Sequence, residues 1–359
     1  MLRFWRNIRT AAGIGSLLCA MPMWAAKGEC QYPPIFTRGI SLASAEFQAD
    51  RLPGIYGRDY VYPSAQSLDY YKSRGFDLIR LPFLWERLQP ALFGDLADAE
   101  LGRIRQLVAA ARDRCMRLIL SPHNFGRYSL HGKPTVIGGE EVPYTAFGDF
   151  WKRTASAFAE EPAVYAYSLM NEPHDMNGAW RNAAQAGLDA IRSIEPQRLV
   201  LVPGDHWTGA WSWKRFNNDF SVHDASDKVV YEAHQYFDLD HSGTYRHDYQ
   251  QSAAYPDIGS DMVRPFSQWL REHNVRGILA EFGAPNDDAR WLEVIDRLLP
   301  WLEHENIPWI YWAGGPRWGS YPLSAEPKGG IDAPVMRILT RHGFLDGRRQ
   351  PGTREPEVH

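Results

Sequence analysis

Eight short apolar segments recur along the chain and limit its possible folds more than any other feature. They are spaced by roughly 30 to 50 residues, the repeat length of a (β/α)8 barrel. The segments are residues 39–42, 77–81, 117–121, 164–170, 198–202, 229–234, 277–281 and 309–312. Helical periodicity lies between several of them, at residues 101–114, 151–159, 179–194, 263–273 and 291–304. Because parallel strands need crossover connections, this alternation predicts an α/β fold, a single-domain (β/α)8 TIM barrel.

The alternative fold is an open, doubly wound sheet. Such a sheet usually carries a glycine-rich phosphate loop after its first strand. The Gly-x-Gly pattern of this chain, Gly13 to Gly15, lies well before the first apolar segment. The barrel is therefore the favoured architecture.

The first 26 residues have the pattern of a secretory signal peptide. Arg3, Arg6 and Arg9 precede an apolar stretch at residues 11–24, and small residues follow before Lys27. The stretch is short for a membrane-spanning helix, although an uncleaved anchor is the alternative. We expect residues 27–345 to form the folded domain of a secreted or periplasmic protein, and the polar residues 346–359 to form a disordered tail.

Removal of that segment leaves two cysteines, Cys30 and Cys115. In an oxidising compartment the two thiols can pair. Two buried free thiols are the alternative, and the sequence does not choose between them.

Aromatic residues are more numerous than a core requires. The chain has 14 Trp, 17 Tyr and 16 Phe, and surplus aromatic rings often form surfaces for flat, partly apolar ligands such as sugars or bases. The formal net charge is −4 and the chain has no basic run, which argues against a nucleic-acid partner. The aromatic surface therefore indicates a neutral ligand.

Polar and aromatic side chains follow the predicted strands at their carboxyl ends, where a barrel carries its functional groups. They are Arg80, His123, Asn124, Asn171, Glu172, His234, Tyr236, Glu281 and Trp312. Each alone has a structural explanation, as an ion-pair partner, a satisfied histidine or a packed ring. Together at one face they are hard to explain by packing, because buried carboxylates are costly unless they are paired.

Two of these residues, Glu172 and Glu281, end the fourth and seventh predicted strands on opposite walls of the barrel mouth. Glycoside hydrolysis needs one acid for the leaving oxygen and a second carboxylate across the sugar ring, about 5 Å away in a retaining enzyme. The chain has no His-Glu-x-x-His or Cys-x-x-Cys zinc motif and no Gly-x-Ser-x-Gly esterase turn. These patterns favour sugar hydrolysis by two carboxylates.

Long ordered segments of the chain resemble glycoside hydrolase family 5, in its cellulase-type endo-β-1,4-glucanase branch. The resemblance runs from about residue 36 to residue 327. It rests on residues 120–128, 169–176, 202–210, 232–238, 281–284 and 312–327. It implies that Glu172 is the acid/base and Glu281 the nucleophile.

The resemblance also implies roles for the surrounding residues. Asn171 is implied to bind the sugar 2-hydroxyl, and His123 and Trp312 are implied to contact the sugar in the same subsite. Arg80 and Tyr236 are the implied hydrogen-bond partners of Glu281. His234 is the implied neighbour of Glu172. Asn124 belongs to the same candidate binding set. Trp207, in the loop after the fifth predicted strand, is a candidate stacking platform, whereas the nearby Trp213 is expected to be packed.

The predicted function is retaining hydrolysis of internal β-1,4-glucosidic bonds in soluble or amorphous glucan, by double displacement. The expected partner is a β-glucan polysaccharide or oligosaccharide. No metal, cofactor or nucleic acid is expected, and no membrane contact is expected after signal cleavage. The protein is expected to be a monomer. The alternatives are a family 5 mannanase or β-1,3-glucanase, and a catalytically silent polysaccharide-binding protein.

Overall fold

The computed structural model describes residues 30, 32, 36 and 38–344. The predicted signal peptide and the predicted tail at 346–359 lie outside the described residues. The chain divides into two units, Met1–Cys30 and Gln31–His359, and the fold below is that of the second. Cys115 is disulfide-bonded, and so is Cys30, which removes the free-thiol alternative.

The second unit is built around eight parallel strands. In chain order the strands are β1 Gly39–Leu42, β2 Leu78–Phe83, β3 Arg117–Pro122, β4 Arg127–Leu130, β5 Lys133–Val136, β6 Val164–Ser168, β7 Leu199–Pro203, β8 Val229–Gln235, β9 Gly277–Phe282 and β10 Ile310–Gly314. The main sheet has the order β10-β1-β2-β3-β6-β7-β8-β9. A bridge between Leu279 and Trp309 joins its two edges. The predicted barrel is therefore confirmed as a nearly closed cylinder.

Helices connect the strands on the outside of the barrel. They are α1 Ala65–Ser73, α2 Trp85–Leu88, α3 Asp98–Arg112, α4 Tyr144–Phe158, α5 Trp180–Arg192, α6 Trp213–Phe216, α7 Ile258–His273, α8 Ala289–His304 and α9 Met336–Leu339. Helix α4 begins seven residues before its predicted start, because Phe147 and Phe150 extend its buried stripe by two turns. Among the residues that the structure describes, no helix is long and apolar enough to cross a bilayer.

The barrel interior changes from apolar to polar along the strands. One apolar cluster contains residues from seven of the eight strands of the main sheet together with Phe36, which precedes β1. The strand residues are Leu78, Ile119, Ala166, Leu201, Val230, Ile278, Ala280 and Ile310. Since side chains alternate between the two faces of a strand, the next inward layer falls two residues later. That layer holds Arg80, Ser121, Ser168 and Glu232, all buried. The charged end of the interior is the carboxyl end, where the candidate residues lie.

The segment between β3 and α4 forms a small antiparallel hairpin that the sequence did not predict. Strands β4 and β5 pair from Arg127 with Val136 to Leu130 with Lys133. The Tyr128 hydroxyl donates a hydrogen bond to the backbone carbonyl of Gln89 at 3.0 Å and so ties the hairpin to the loop after α2.

Candidate active site

Two glutamates face each other at the carboxyl end of the barrel. The side chain of Glu281, on β9, is 5% exposed, and that of Glu172, four residues after β6, is 14% exposed. One carboxylate oxygen of each lies within 4.8 Å of the other and of a ring nitrogen of His234. Glu172 has a φ of 43°, in the left-handed region that few residues other than glycine adopt. Such backbone strain is concentrated at functional sites.

Glu281 has three partners. Arg80 Nη1 donates to its Oε2 at 3.1 Å, the Tyr236 hydroxyl donates to its Oε1 at 2.7 Å, and His234 Nδ1 lies 3.7 Å from Oε2. Burial raises the pKa of Glu281 above its ordinary value, and the negative charge of Glu172 acts in the same direction. The positive charges of His234 and Arg80 and the Tyr236 hydroxyl offset part of this rise in pKa.

His234, on β8, lies between two further carboxylates. Its Nδ1 is 2.8 Å from Glu172 Oε1, and its Nε2 is 3.1 Å from Glu232 Oε1. Burial lowers the pKa of His234, but Glu281, Glu172 and Glu232 raise it by more, to about 9. The ring is therefore protonated at neutral pH, and both nitrogens donate hydrogen bonds.

Arg80, on β2, connects the rest of the site. Its Nη2 donates to Asn171 Oδ1 at 2.7 Å and to Glu232 Oε1 at 3.2 Å. Because a guanidinium only donates, Oδ1 of Asn171 must face it, and the amide nitrogen points elsewhere. That nitrogen, Nδ2, is buried and has no hydrogen-bond partner among the described residues. It is a fixed donor beside the two glutamates.

Trp312 and His123 lie on the neighbouring wall. Their ring centroids are 5.5 Å apart. Trp318 packs edge-on against Trp312 at 5.7 Å and stacks on Tyr321 at 4.3 Å, so the orientation of the Trp312 ring is set by its neighbours. Burial lowers the pKa of His123, and the charges of Arg80 and His234 lower it further, so its ring is neutral.

Trp207 is the exposed aromatic residue of the site, with 51% of its surface accessible. Its backbone N–H donates to the carbonyl of Pro173 at 3.0 Å, and its ring centroid is 3.5 Å from that of His174. Because both partners directly follow Glu172 in the chain, Trp207 stands on the Glu172 side of the site. Trp213 is fully buried against Phe266, as expected.

Comparison with known proteins places the chain in a family. A family model described as cellulase (glycosyl hydrolase family 5) matches residues 38–317. The chain belongs to glycoside hydrolase family 5. It is therefore a glycoside hydrolase, as the motifs of the sequence implied.

Solved structures and curated proteins of this family are similar over most of their length. The chain is 37% identical to endoglucanase Cel5A of Pseudomonas stutzeri, crystallised with cellobiose, with a TM-score of 0.82 over 87% of this chain and 95% of that one. It is 38% identical to an endo-β-1,4-glucanase of Xanthomonas axonopodis pv. citri, with a TM-score of 0.80 over 86% and 98%. It is 33% identical to endo-β-1,4-glucanase B of Emericella nidulans, over 82% and 87%.

Asn124 differs from the other candidates of this family 5 site. Its Oδ1 accepts a hydrogen bond from the Trp85 backbone N–H at 2.8 Å, and its Nδ2 donates to Glu86 at 2.6 Å. Both polar ends of the side chain are thus engaged within the protein. In this arrangement Asn124 anchors α2 to the end of β3, and a direct contact with substrate stays a prediction.

Two acidic residues of the family 5 site were missed by sequence reasoning. Glu232 is buried between Arg80 and His234, and only its position two residues before His234 hinted that it faces inward. Glu46 follows β1, and its Oε2 accepts the Ser44 backbone N–H at 2.9 Å. Burial raises the pKa of Glu46 to about 8, so this carboxyl is neutral in mildly acidic solution.

Proposed function

We propose that this family 5 enzyme is a retaining endo-β-1,4-glucanase. The observation that carries the proposal is the separation of Glu172 and Glu281, whose nearest carboxylate oxygens lie within 4.8 Å. Retaining glycosidases hold the two groups about 5–5.5 Å apart, whereas inverting enzymes need about 6.5–9.5 Å to admit a water molecule. The names of the similar proteins support β-1,4-glucan as the substrate.

In the first step the carboxylate of Glu281 attacks the anomeric carbon of the sugar. The bond from that carbon to the leaving oxygen breaks as Glu172 transfers its proton to this oxygen. A covalent glycosyl-enzyme remains on Glu281. In the second step water attacks the anomeric carbon, Glu172 takes the proton of that water, and Glu281 leaves as a carboxylate. Two inversions at one carbon retain the β configuration.

The partners of Glu281 support its role as nucleophile. Arg80 and the Tyr236 hydroxyl both donate to its oxygens and so favour the ionised form that attacks. Their bonds also hold each oxygen in place, which reduces the reorganisation needed in the transition state.

The sugar that reacts is bound by Asn171, Trp312 and His123 in this proposal. The buried Nδ2 of Asn171 is a donor without a partner among the residues described, which suits a hydrogen bond to the 2-hydroxyl. Trp312 offers an apolar ring face for the pyranose, and the neutral His123 supplies a polar contact in the same subsite.

Trp207 binds the chain beyond the cleaved bond. It stands on the side of Glu172, which protonates the leaving group, so a sugar stacked on it belongs to the departing half. A substrate held on both sides of the glutamates is bound at an internal position, which favours endo cleavage.

We further propose a secreted or periplasmic monomer that works without a cofactor, in which residues 1–26 are a signal peptide and residues 27–345 form the catalytic domain.

A substrate panel tests the proposal. Purified enzyme is incubated with carboxymethylcellulose, mannan, a β-1,3-glucan and crystalline cellulose, and both viscosity and reducing ends are followed, with Glu281→Gln as the inactive control. We expect a fast viscosity loss on carboxymethylcellulose, short oligosaccharide products and little action on crystalline cellulose. Preference for mannan or β-1,3-glucan would overturn the specificity, and release of single glucose units at constant viscosity would overturn the endo mode.

A further inference from the structure

A third carboxylate, Glu232, lies beneath the two glutamates and is connected to both. Its Oε1 accepts from Arg80 Nη2 at 3.2 Å and from His234 Nε2 at 3.1 Å. Arg80 in turn contacts Glu281, and His234 contacts Glu172. The five groups therefore form an unbroken chain through the barrel interior, in which three glutamates alternate with the guanidinium of Arg80 and the ring of His234, with Glu232 at its centre.

Groups from several strands surround this chain. Ser168, on β6, donates to Glu232 Oε2 at 2.6 Å, so both oxygens of the carboxylate are engaged. Burial raises the pKa of Glu232, but Arg80, His234 and Ser168 lower it by more, and the group stays ionised. Directly after β3, His123 is neutral, and on β9 Glu281 lies 3.7 Å from His234 Nδ1.

The protonation of His234 decides where Glu172 carries its proton. When Nδ1 bears hydrogen it donates to Glu172 Oε1, and an oxygen that accepts this bond is not the oxygen that holds the acidic proton. The proton of Glu172 is then confined to Oε2. If Nδ1 carried no hydrogen, the proton of Glu172 would lie on Oε1 and form a hydrogen bond to Nδ1. The proton would then not be available to the substrate.

We propose that Glu232 is a positioning residue that keeps His234 doubly protonated and thereby directs the catalytic proton of Glu172 to Oε2. The inference rests on the double displacement proposed above. It adds a residue that touches neither substrate nor reacting atoms, and it explains why a charged side chain is retained at a fully buried position where an apolar one would be easier to accommodate.

Glu232→Gln removes the charge with little change in shape. The amide oxygen can still accept from Arg80 and from His234 Nε2, and the amide nitrogen can donate to Ser168. With the negative charge gone, loss of a proton from the Glu172–His234 pair becomes easier. The neutral ring keeps hydrogen on Nε2, and its bare Nδ1 then competes for the proton of Glu172.

Aryl β-cellobiosides with different leaving groups separate this effect from a structural defect. A poor leaving group needs the proton of Glu172, whereas dinitrophenolate departs without it. We expect Glu232→Gln to lower kcat/KM at pH 7 by about 100-fold for the poor leaving group, and by less than about fivefold for the dinitrophenyl substrate. Equal losses on both substrates would show a structural role and overturn the proposal.

The pH profile gives a second readout. For the substrate with the poor leaving group, the basic limb of the kcat/KM profile of Glu232→Gln is expected at least about one pH unit lower than that of the wild type. The reason is that removal of the negative charge of Glu232 favours deprotonation of the Glu172–His234 pair. Ser168→Ala is the matched control, since it removes a neutral bond to the same carboxylate and keeps the charge. A basic limb that stays in place in Glu232→Gln, or moves equally in Ser168→Ala, contradicts the proposal.

Nitrogen NMR of the wild-type histidine ring tests the same point should Glu232→Gln fail to fold. The His234 signals are assigned by their loss in His234→Gln. Two protonated ring nitrogens at pH 7 are expected, and a singly protonated ring would overturn the inference. Failure of the proposed function looks different, because the wild type would then form no covalent glycosyl-enzyme intermediate.

Discussion

The hydrogen bond from Tyr236 to Glu281 offers a quantitative test of how the nucleophile is kept ionised. The two oxygens are 2.7 Å apart, and both side chains are buried. Tyr236→Phe removes the hydroxyl and leaves the ring in place. A hydrogen bond to a charged group contributes about 1.5–3 kcal/mol, and one pKa unit corresponds to about 1.4 kcal/mol. Loss of the bond should therefore raise the pKa of Glu281, already above its ordinary value, by about 1–2 units.

The assay is the pH dependence of kcat/KM on a soluble cello-oligosaccharide. Glu281 must be ionised in the free enzyme, so its titration sets the acidic limb. In Tyr236→Phe this limb is expected to move toward neutral pH by about 1–2 units, while the basic limb stays in place. The matched control is Tyr245→Phe, which removes a nearby hydroxyl that donates to the neutral carbonyl of Gly283 at 2.6 Å.

Two results would refute the reasoning. An acidic limb unchanged in Tyr236→Phe would mean that the hydroxyl does not stabilise the ionised nucleophile. An equal shift in Tyr245→Phe would mean that general loosening of the site, and not the lost charge-assisted bond, moves the pKa of Glu281.

Three further predictions concern acid catalysis, substrate contacts and stability. Glu172→Gln should lower kcat on glucan by about 10²- to 10⁴-fold. With Glu172→Ala, azide should restore turnover of an activated substrate and give a β-configured product. No rescue, or an α-configured product by NMR, would count against Glu172 as the acid/base. Trp312→Ala should lower kcat/KM by about 100-fold, because the reacting sugar is misplaced. Trp207→Ala should mainly raise KM for longer oligosaccharides. Equal effects of Trp207→Ala on short and long oligosaccharides would contradict this difference in role. Burial raises the pKa of Glu46 in the folded protein to about 8 from its ordinary value of 4.5, so the fold loses stability as pH rises between these values. Glu46→Gln should therefore unfold at a higher temperature than the wild type at pH 8 but not at pH 4, as measured by circular dichroism, and equal differences at both values would exclude this cause.

The strands and the two glutamates could be predicted because their signals are local. Buried parallel strands are short, continuous apolar runs, so β1 was predicted with the bounds it has, and a charged residue directly after such a run is conspicuous. Glu281 has this signature, and Glu172 follows the predicted strand 164–170 with only Asn171 between them. The sequence pattern predicts too late a start for helix α4, because the first two turns of this helix mix aromatic residues with small and polar ones.

The contacts of Glu232 and Asn124 could not be predicted, because they depend on distant parts of the chain. Glu232 reaches Arg80 across the barrel interior, over a sequence separation of 152 residues. A register shift between β8 and β9 at Ala233 and His234 also changes which residues meet there, and nothing in the sequence marks it. Asn124 has the position of a binding residue, and its partners on α2 are visible only in three dimensions.

Covalent trapping of the nucleophile tests the central claim most directly. The enzyme is incubated with a 2-deoxy-2-fluoro-β-cellobioside that carries a good leaving group, which slows the second step, and the labelled peptide is located by mass spectrometry. Double displacement predicts one fluorocellobiosyl group per molecule, attached to Glu281 and lost on return to substrate-free buffer with added cellobiose as acceptor. A label on another residue, or an unlabelled enzyme that still hydrolyses cellobiosides, would contradict the account.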